Sequence, residues 1–334
     1  MQATKATERL SMKLAVPVAA ALIAVLLVLA GCGGSQAASG AGGAASSDTG
    51  KTVKIAYLPI THALPVLEEV EQLEALAASG EAGYSIELVK YGSWPELMDA
   101  LNSGQVDGAS VLVELAMRAA EQGVGLKAVA LGHKDGNVII GSNDVDSVAD
   151  LKGKTIAIPS RQSSHNILVL SALEEAGISE SDVTITELAP TEMPSALASG
   201  QIDAYCVAEP FGAKGVEVGA GHVLANSEDL WDKSLCCAFV LNGSFISENP
   251  ELAGQLVADY KEAGAALEKD DEAKQVAKKY LDQTDDVLDI SLQWISYDDL
   301  TITEEAYDAL VDRVKKYGLS ENPPTYDEFV ANLG

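Results

Sequence analysis

Two segments of this 334-residue chain repeat each other, and this repeat constrains the fold more than any other feature. Residues 100–111 read ALNSGQVDGASV and residues 196–207 read ALASGQIDAYCV, with seven of the twelve positions identical. In each segment an apolar helical pattern ends at Ser-Gly, where glycine suits the left-handed C-cap, and a short strand pattern follows. A spacing of about 100 residues is too long for a solenoid repeat. The repeat therefore predicts two similar halves.

Both halves alternate strand patterns with helical patterns, which favours parallel sheets joined by right-handed crossovers. The predicted fold class is therefore α/β, with two lobes, a cleft between them and two hinge crossings. The predicted strands are 53–57, 85–90, 106–111 and 127–131 in the first half, 137–141, 155–158, 183–188 and 203–207 in the second, and a returning strand at 236–241. The predicted helices after residue 250 are 250–267, 271–281, 287–296 and 303–317. The predicted lobes are 52–133 plus 243–334, and 134–242.

The first fifty residues have the pattern of an export signal. A basic start is followed by the uncharged apolar run 14–29, and the segment Leu29-Ala30-Gly31-Cys32 looks like the lipobox of bacterial lipoproteins. A membrane-spanning helix is the alternative, because the run has about the minimum spanning length. We expect residues 1–31 to be a signal peptide, Cys32 to be lipidated, and the Gly/Ala/Ser-rich stretch 32–51 to be a flexible tether.

Charge and cysteine content exclude several classes of protein. The chain has 22 basic and 50 acidic residues and a formal net charge of −28, which disfavours nucleic-acid binding. The absence of a C-x-x-C pair argues against zinc ribbons and fingers. Once Cys32 is lipidated, Cys206, Cys236 and Cys237 remain in apolar strand patterns, which predicts buried free thiols. We expect no metal ligands, no cofactor and no catalytic residues.

Ligands of open parallel sheets bind beyond the carboxyl ends of the strands. One such loop ends in Ser163, Ser164 and His165 at the start of a predicted helix, where backbone amides and the helix dipole favour an anion. These groups suit a small oxyanion, and the alternative is ordinary capping, with Arg161 solvated or paired to a carboxylate. The loops expected to line the cleft are 58–63, 91–95 and 110–113 from the first lobe, and 159–166, 189–192 and 208–211 from the second.

The remaining candidate binding residues follow other strands. Thr61 and His62 come after the first strand, and Trp94 follows a predicted cap at Ser93, so these three could cover the ligand from the opposite lobe. Trp94 could equally pack the helix. Glu209 follows the strand 203–207, and either contacts the ligand or bonds backbone amides or Arg161 at the base of the hinge.

The sequence resembles the nitrate/sulfonate/bicarbonate class of solute-binding proteins of ABC importers, including their relatives that bind thiamine precursors. The resemblance covers most of residues 53–318 and rests on segments 56–61, 151–159, 163–166, 200–205 and 207–211. It implies a periplasmic-binding-protein-like fold that captures a small oxyanion-bearing solute and delivers it to an ABC permease and its ATPase. The alternative ligand is an aromatic heterocycle, and the alternative class is an enzyme of the pyrimidine-synthase or thiaminase type. We expect a monomer, lipid-anchored on the extracytoplasmic face of the cell membrane.

Overall fold

Two five-stranded sheets form the core of the computed structural model, which describes residues 50–269 and 271–333. The predicted signal peptide, Cys32 and nearly all of the tether lie outside the described residues. Among the helices that are described, none combines the length and the apolar character needed to cross a bilayer.

The part of the chain that begins the first sheet consists of three units of strand and helix, followed by a fourth strand. Its strand order is β2-β1-β3-β11-β4, with β1 parallel to both β2 and β3. Strand β3 is buried along its whole length, as expected for a central strand. The elements are β1 (Thr52–Tyr57), α1 (Leu64–Ser79), β2 (Ser85–Lys90), α2 (Trp94–Asn102), β3 (Gly108–Leu112), α3 (Val113–Glu121) and β4 (Leu126–Leu131).

The second sheet repeats this arrangement with the order β10-β6-β9-β7-β8. Strand β7 is parallel to β8 and β9, and β6 is antiparallel to β9. Its elements are β6 (Asn137–Ser142), β7 (Thr155–Ile158), α4 (Ser164–Glu175), β8 (Thr184–Glu187), α5 (Met193–Ala198), β9 (Ala204–Ala208), α6 (Phe211–Glu217), β10 (Gly221–Asn226) and α7 (Ser227–Leu230). The short strand β5 (Lys134–Asp135) precedes them and belongs to a separate two-stranded sheet.

The repeated segments have the same role in both sheets. Gly104 and Gly200 each adopt a positive φ at the helix end, as the C-cap pattern predicts. The aspartates that follow then fasten the neighbouring strand: Asp107 Oδ2 accepts the amide of Lys54, and Asp203 Oδ2 accepts the amide of Thr155, each at 2.8 Å. The two segments lie in separate sheets, so the predicted pair of similar α/β halves is confirmed.

The remaining elements return to the first sheet. They are β11 (Cys237–Asn242), α8 (Gly243–Glu248), α9 (Pro250–Leu267), α10 (Glu272–Tyr280), α11 (Asp285–Ser291), β12 (Ile295–Ser296), α12 (Glu304–Lys316) and α13 (Tyr326–Phe329). Helix α9 packs on α1, and the Phe239 ring of β11 stacks on Tyr260 of α9 with ring centroids 4.4 Å apart. This stack ties the returning strand to the helical layer.

One strand position agrees with the sequence-based expectation and one helix boundary differs from it. Strand β11 inserts antiparallel between β3 and β4, at the position predicted for the returning strand 236–241. The predicted helix 287–296 ends at Ser291, because Ile295 and Ser296 pair instead with Asp135 and Lys134. The division into lobes at residues 133 and 242 stays a prediction about domains.

Candidate functional site

Loops from both sheets meet at a shallow groove of about 320 Å³. The first sheet contributes the ends of β1 and β2, and the second contributes the segments after β8 and β9. These are loops that the strand-end rule predicted as the cleft lining. The lining residues are Leu58, Pro59, Ile60, Lys90, Tyr91, Gly92, Pro190, Thr191 and Phe211.

Polar side chains of both lobes lie buried together between the sheets, in a group we call the interlobe cluster. Two segments pass between the sheets: the first crossing segment is 132–136, and the second crossing segment is 231–236. The imidazoles of the cluster come from the loop after β1, from the first crossing segment and from the start of α4. Its thiols come from the second crossing segment and the first residue of β11, and its carboxyl comes from α3. Its members are His62, Glu114, His133, His165, Cys236 and Cys237, all of them at most 3% exposed.

Four members of the cluster are close enough to bind one ion. One ligand atom each of His62, His133, Cys236 and Cys237 lies within 4.8 Å of all the others. The Sγ atoms of Cys236 and Cys237 are 3.9 Å apart, and they lie 3.8 Å and 3.5 Å from His62 Nδ1. The rings of His62 and His133 stack at 3.4 Å. The structure thus assembles two nitrogen and two sulfur ligands.

Backbone contacts fix the orientation of His62. Its Nε2 lies 2.9 Å from the Gly136 carbonyl oxygen, which can only accept, so in the neutral ring Nε2 carries the proton and Nδ1 faces the thiols. The adjacent Thr61 is fixed as well, because its hydroxyl and its amide both donate to the Glu209 carbonyl oxygen, at 3.0 and 2.9 Å. Backbone carbonyls of the second lobe therefore hold the loop after β1 in place.

Burial shifts the protonation equilibria of the cluster. It lowers the pKa of His133 and of His165 to about 4, so both imidazoles are neutral at physiological pH. Burial also raises the pKa of Glu114 well above its usual range. For Cys236 burial raises the pKa, but Cys237 and the adjacent imidazoles outweigh it and bring the pKa below the ordinary thiol value.

The residues predicted at the start of α4 lie where the sequence placed them. Ser163 is the N-cap and accepts the amide of Asn166, which confirms the predicted cap. Ser164 and His165 are fully buried, and neither ring nitrogen of His165 has a well-aligned hydrogen-bond partner among residues 50–269 and 271–333. Arg161 stays outside, where it bonds Glu180 and the Ile185 carbonyl oxygen. That outcome matches the alternative in which Arg161 is paired to a carboxylate.

Two other predicted residues are also buried. Trp94 is 3% exposed and belongs to the apolar core, with its indole N–H unpartnered within the described residues. Glu209 is fully buried, and its carboxylate accepts the amide of Ala213 rather than Arg161. Burial raises the pKa of Glu209 to about 8. Ligand contacts by these two residues stay predictions.

Sequence reasoning did not identify Glu114, His133, Cys236 or Cys237 as site residues. They come from three separate parts of the sequence, and the pattern around the cysteines predicts only buried free thiols, which all three described cysteines are. One signal was present, because the chain has only four histidines and three of them meet in the cluster. The two crossing segments also predict a meeting point, since both must pass the cleft.

Comparison with known proteins identifies the relatives of this fold. The sequence profile of the NMT1-like family matches residues 47–281, more than half of the chain. The chain belongs to the NMT1-like family. This result confirms the resemblance to nitrate- and sulfonate-binding proteins, and with it the periplasmic-binding-protein-like fold.

Solved structures extend the likeness of this NMT1-like chain over both sheets. A ligand-binding component of an ABC-type import system from Staphylococcus aureus, crystallised with zinc bound, is 38% identical, with a TM-score of 0.81 over 84% of this chain and 97% of that one. The alkanesulfonate-binding protein SsuA from Xanthomonas axonopodis pv. citri, bound to MOPS, is 23% identical, with a TM-score of 0.70 over 84% and 98%. At that identity, SsuA shows a shared fold only.

Curated relatives of the NMT1-like chain match over shorter stretches. The nitrate/nitrite binding protein NrtA of Nostoc is 24% identical over 256 residues, which are 67% of this chain and 56% of NrtA. Overall, this chain spans between 29% and 56% of the length of the curated relatives it matches.

Proposed function

We propose that this protein is the extracytoplasmic solute-binding component of an ABC importer and holds its solute between the two lobes. The observation that carries this proposal is the interlobe cluster, where both lobes direct buried polar groups at one place. Burying polar groups without partners costs free energy, so their presence indicates a ligand that supplies the missing partners. The relatives from Staphylococcus aureus and Nostoc, named for import and nitrate binding, support this proposal.

Within this proposal, each lobe contributes one side of the site. Ser163, Ser164 and His165, with the amides at the start of α4, bind the polar or anionic end of the solute. Thr61, His62 and Trp94 cover it from the first lobe, and the Glu209 carbonyl oxygen accepts hydrogen bonds from the hydroxyl and the amide of Thr61. The groove of about 320 Å³ at the lobe boundary is the entrance.

The solute class we propose is a small oxyanion-bearing molecule of the nitrate, bicarbonate or sulfonate type. An aromatic heterocycle is the alternative. The interlobe cluster itself contains no lysine or arginine, so a bound anion depends on the α4 amides and on the imidazoles. We propose that the protein binds its solute without converting it. Incubation of the protein with each candidate solute, followed by mass spectrometry of the solute, tests this point. A chemically altered solute would favour an enzyme of the pyrimidine-synthase or thiaminase type.

A bound solute should close and stabilise the protein. A solute present at about 100 times its Kd adds roughly 2.7 kcal/mol to the free energy of unfolding. Small-angle scattering in the presence of nitrate, bicarbonate, taurine or a pyrimidine should show a smaller radius of gyration for the one that binds, because only differential affinity drives closure. Tight binding without compaction would contradict an interlobe site.

His165→Ala identifies which lobe surface holds the solute. Removing this imidazole should weaken binding by about 1.5–3 kcal/mol if it makes a charge-assisted hydrogen bond. The matched control is His222→Ala in β10, which removes an imidazole outside the interlobe cluster and should leave the Kd unchanged. Normal binding by the His165 variant would show that the α4 start is only a helix cap, and would favour the heterocycle.

The proposed location adds a lipid anchor at Cys32. Cys32→Ser should release the protein from membranes or block its processing, because the acylated residue is lost. Fractionation and mass measurement of the mature chain check this outcome. If the variant still sediments entirely with membranes, residues 14–29 anchor the chain as a spanning helix instead. The permease and ATPase are the partners that this placement implies.

A further inference from the structure

Four members of the interlobe cluster have the composition of a site for a thiophilic metal ion. Neutral imidazole nitrogens and thiolate sulfurs are the ligands that zinc and its neighbours among the d-block metals prefer. His62 and His133 supply two nitrogens, and Cys236 and Cys237 supply two sulfurs. A set of two nitrogens and two sulfurs is one of the common four-coordinate zinc sets.

The distances among three of these ligand atoms match the edges of one tetrahedron. Metal bonds of about 2.3 Å to sulfur and about 2.0–2.1 Å to nitrogen give tetrahedral edges of about 3.8 Å between sulfurs and about 3.6 Å between sulfur and nitrogen. The Cys236 and Cys237 sulfurs lie 3.9 Å apart, and they lie 3.8 and 3.5 Å from His62 Nδ1. Three ligand atoms therefore already stand at the spacing that one ion requires.

The surroundings of His62 also suit a metal ligand. Metal-binding histidines usually donate their second ring N–H to a carbonyl or carboxylate, which fixes the tautomer and the ring orientation. His62 does so through Nε2, which lies 2.9 Å from the Gly136 carbonyl oxygen. Nδ1, the atom that faces both sulfurs, is then the one with the available lone pair.

Charge balance explains how such an ion could be buried. Each thiol releases its proton to solvent as it binds, so two thiolates cancel the charge of a divalent cation. The ion in turn provides a partner for His133, whose ring nitrogens have no well-aligned hydrogen-bond partner in the part of the chain that the structure describes. His165, fully buried at the start of α4, interacts electrostatically with Cys236 and His62 from the second lobe.

We propose that His62, His133, Cys236 and Cys237 form a binding site for a divalent thiophilic d-block cation of the zinc type. The site lies where the two crossing segments meet the loop after β1. A further step rests on the proposed function: closure of the lobes encloses the ion, which is either the transported solute or the group that holds the solute. The coordination itself stands on the geometry of the four residues.

Cobalt(II) titration tests the coordination directly, on reduced, untagged protein treated with a chelator and then freed of it. The wild-type protein should bind one Co²⁺ per chain with a thiolate-to-cobalt charge-transfer band, and an equivalent of Zn²⁺ should abolish that band. Cys236→Ser and Cys237→Ser should each weaken binding at least tenfold and reduce the band. Cys206→Ser, which removes a buried thiol outside the cluster, should leave the Co²⁺ affinity and the charge-transfer band unchanged.

Several results would overturn the metal site. The first is a wild-type spectrum without a thiolate band. The second is a Cys236→Ser spectrum equal to that of the wild type. The third is a loss of Co²⁺ binding in Cys206→Ser as large as the loss in Cys236→Ser. His133→Gln provides a further variant if a cysteine variant fails to fold, and it should weaken Co²⁺ binding while keeping the thiolate band. Thermal unfolding of each metal-free variant checks the fold.

Scattering of the same samples separates this proposal from the proposed function. Co²⁺ binding with compaction supports both proposals. A thiolate band without compaction keeps the metal site and contradicts closure around the ion. Compaction by nitrate or a sulfonate in metal-free protein, together with no thiolate band, keeps the importer function and overturns the metal site.

Discussion

Glu209→Gln should make the protein more stable, and increasingly so as the pH rises from about 4.5 to about 8. Burial raises the pKa of Glu209 to about 8, whereas its ordinary value is 4.5. Below pH 4.5 the carboxyl is protonated in both the folded and the unfolded states. Between the two values the unfolded chain loses the proton and the folded chain keeps it, so wild-type stability falls by about 1.4 kcal/mol per pH unit.

The difference between the two proteins isolates this group. Urea unfolding is measured at a series of pH values with a chelator present. The free energy of unfolding of Glu209→Gln should exceed that of the wild type by an amount that grows to several kcal/mol across this pH range and then stays constant. Gln keeps an oxygen to accept the Ala213 amide. Exposed Glu175→Gln is the control, and its difference from the wild type should be small because water solvates that carboxylate. A pH-independent difference for Glu209→Gln would contradict the buried neutral carboxyl.

Phe239→Ala should cost about 3–5 kcal/mol of unfolding free energy, because it empties a large space in a tightly packed core. Phe239 is fully buried in β11, and its ring stacks on Tyr260 of α9. Chemical denaturation of the variant measures the loss. Phe239→Leu, which keeps much of the apolar volume, should cost much less. Similar losses in both variants would show that the stack itself, and not the filled space, stabilises the returning strand.

The sequence predicted the two sheets because their pattern is local. Each Ser-Gly helix end and following Val/Ile-Asp strand repeats within one short segment, and the repeated aspartates then make equivalent backbone bonds. The sheet that receives the apolar run 236–241 is not a local property. That run is compatible with any buried strand position, and only the packing of β11 between β3 and β4 decides it.

The candidate site also has a part whose position was predictable from the sequence and a part whose position was not. Ser163, His165 and His62 were predictable because each follows the carboxyl end of a strand, where the fold rule places ligands. His133 and the adjacent cysteines Cys236 and Cys237 were not, because they lie in or next to the crossing segments. Their neighbourhood is set by how two distant parts of the chain pass each other, and no short motif records that.

The position of β11 has a consequence for synthesis of the protein on the ribosome. The first sheet is discontinuous: β1 to β4 precede the second sheet, whereas the central strand β11 and the covering helix α9 follow it. The second sheet, from β6 to β10, is continuous and can fold as soon as it emerges. During elongation the edges of β3 and β4 that later pair with β11 stay open for more than a hundred residues of growth. Such open edges invite pairing with other chains, so the nascent first lobe is the part that most needs protection by chaperones.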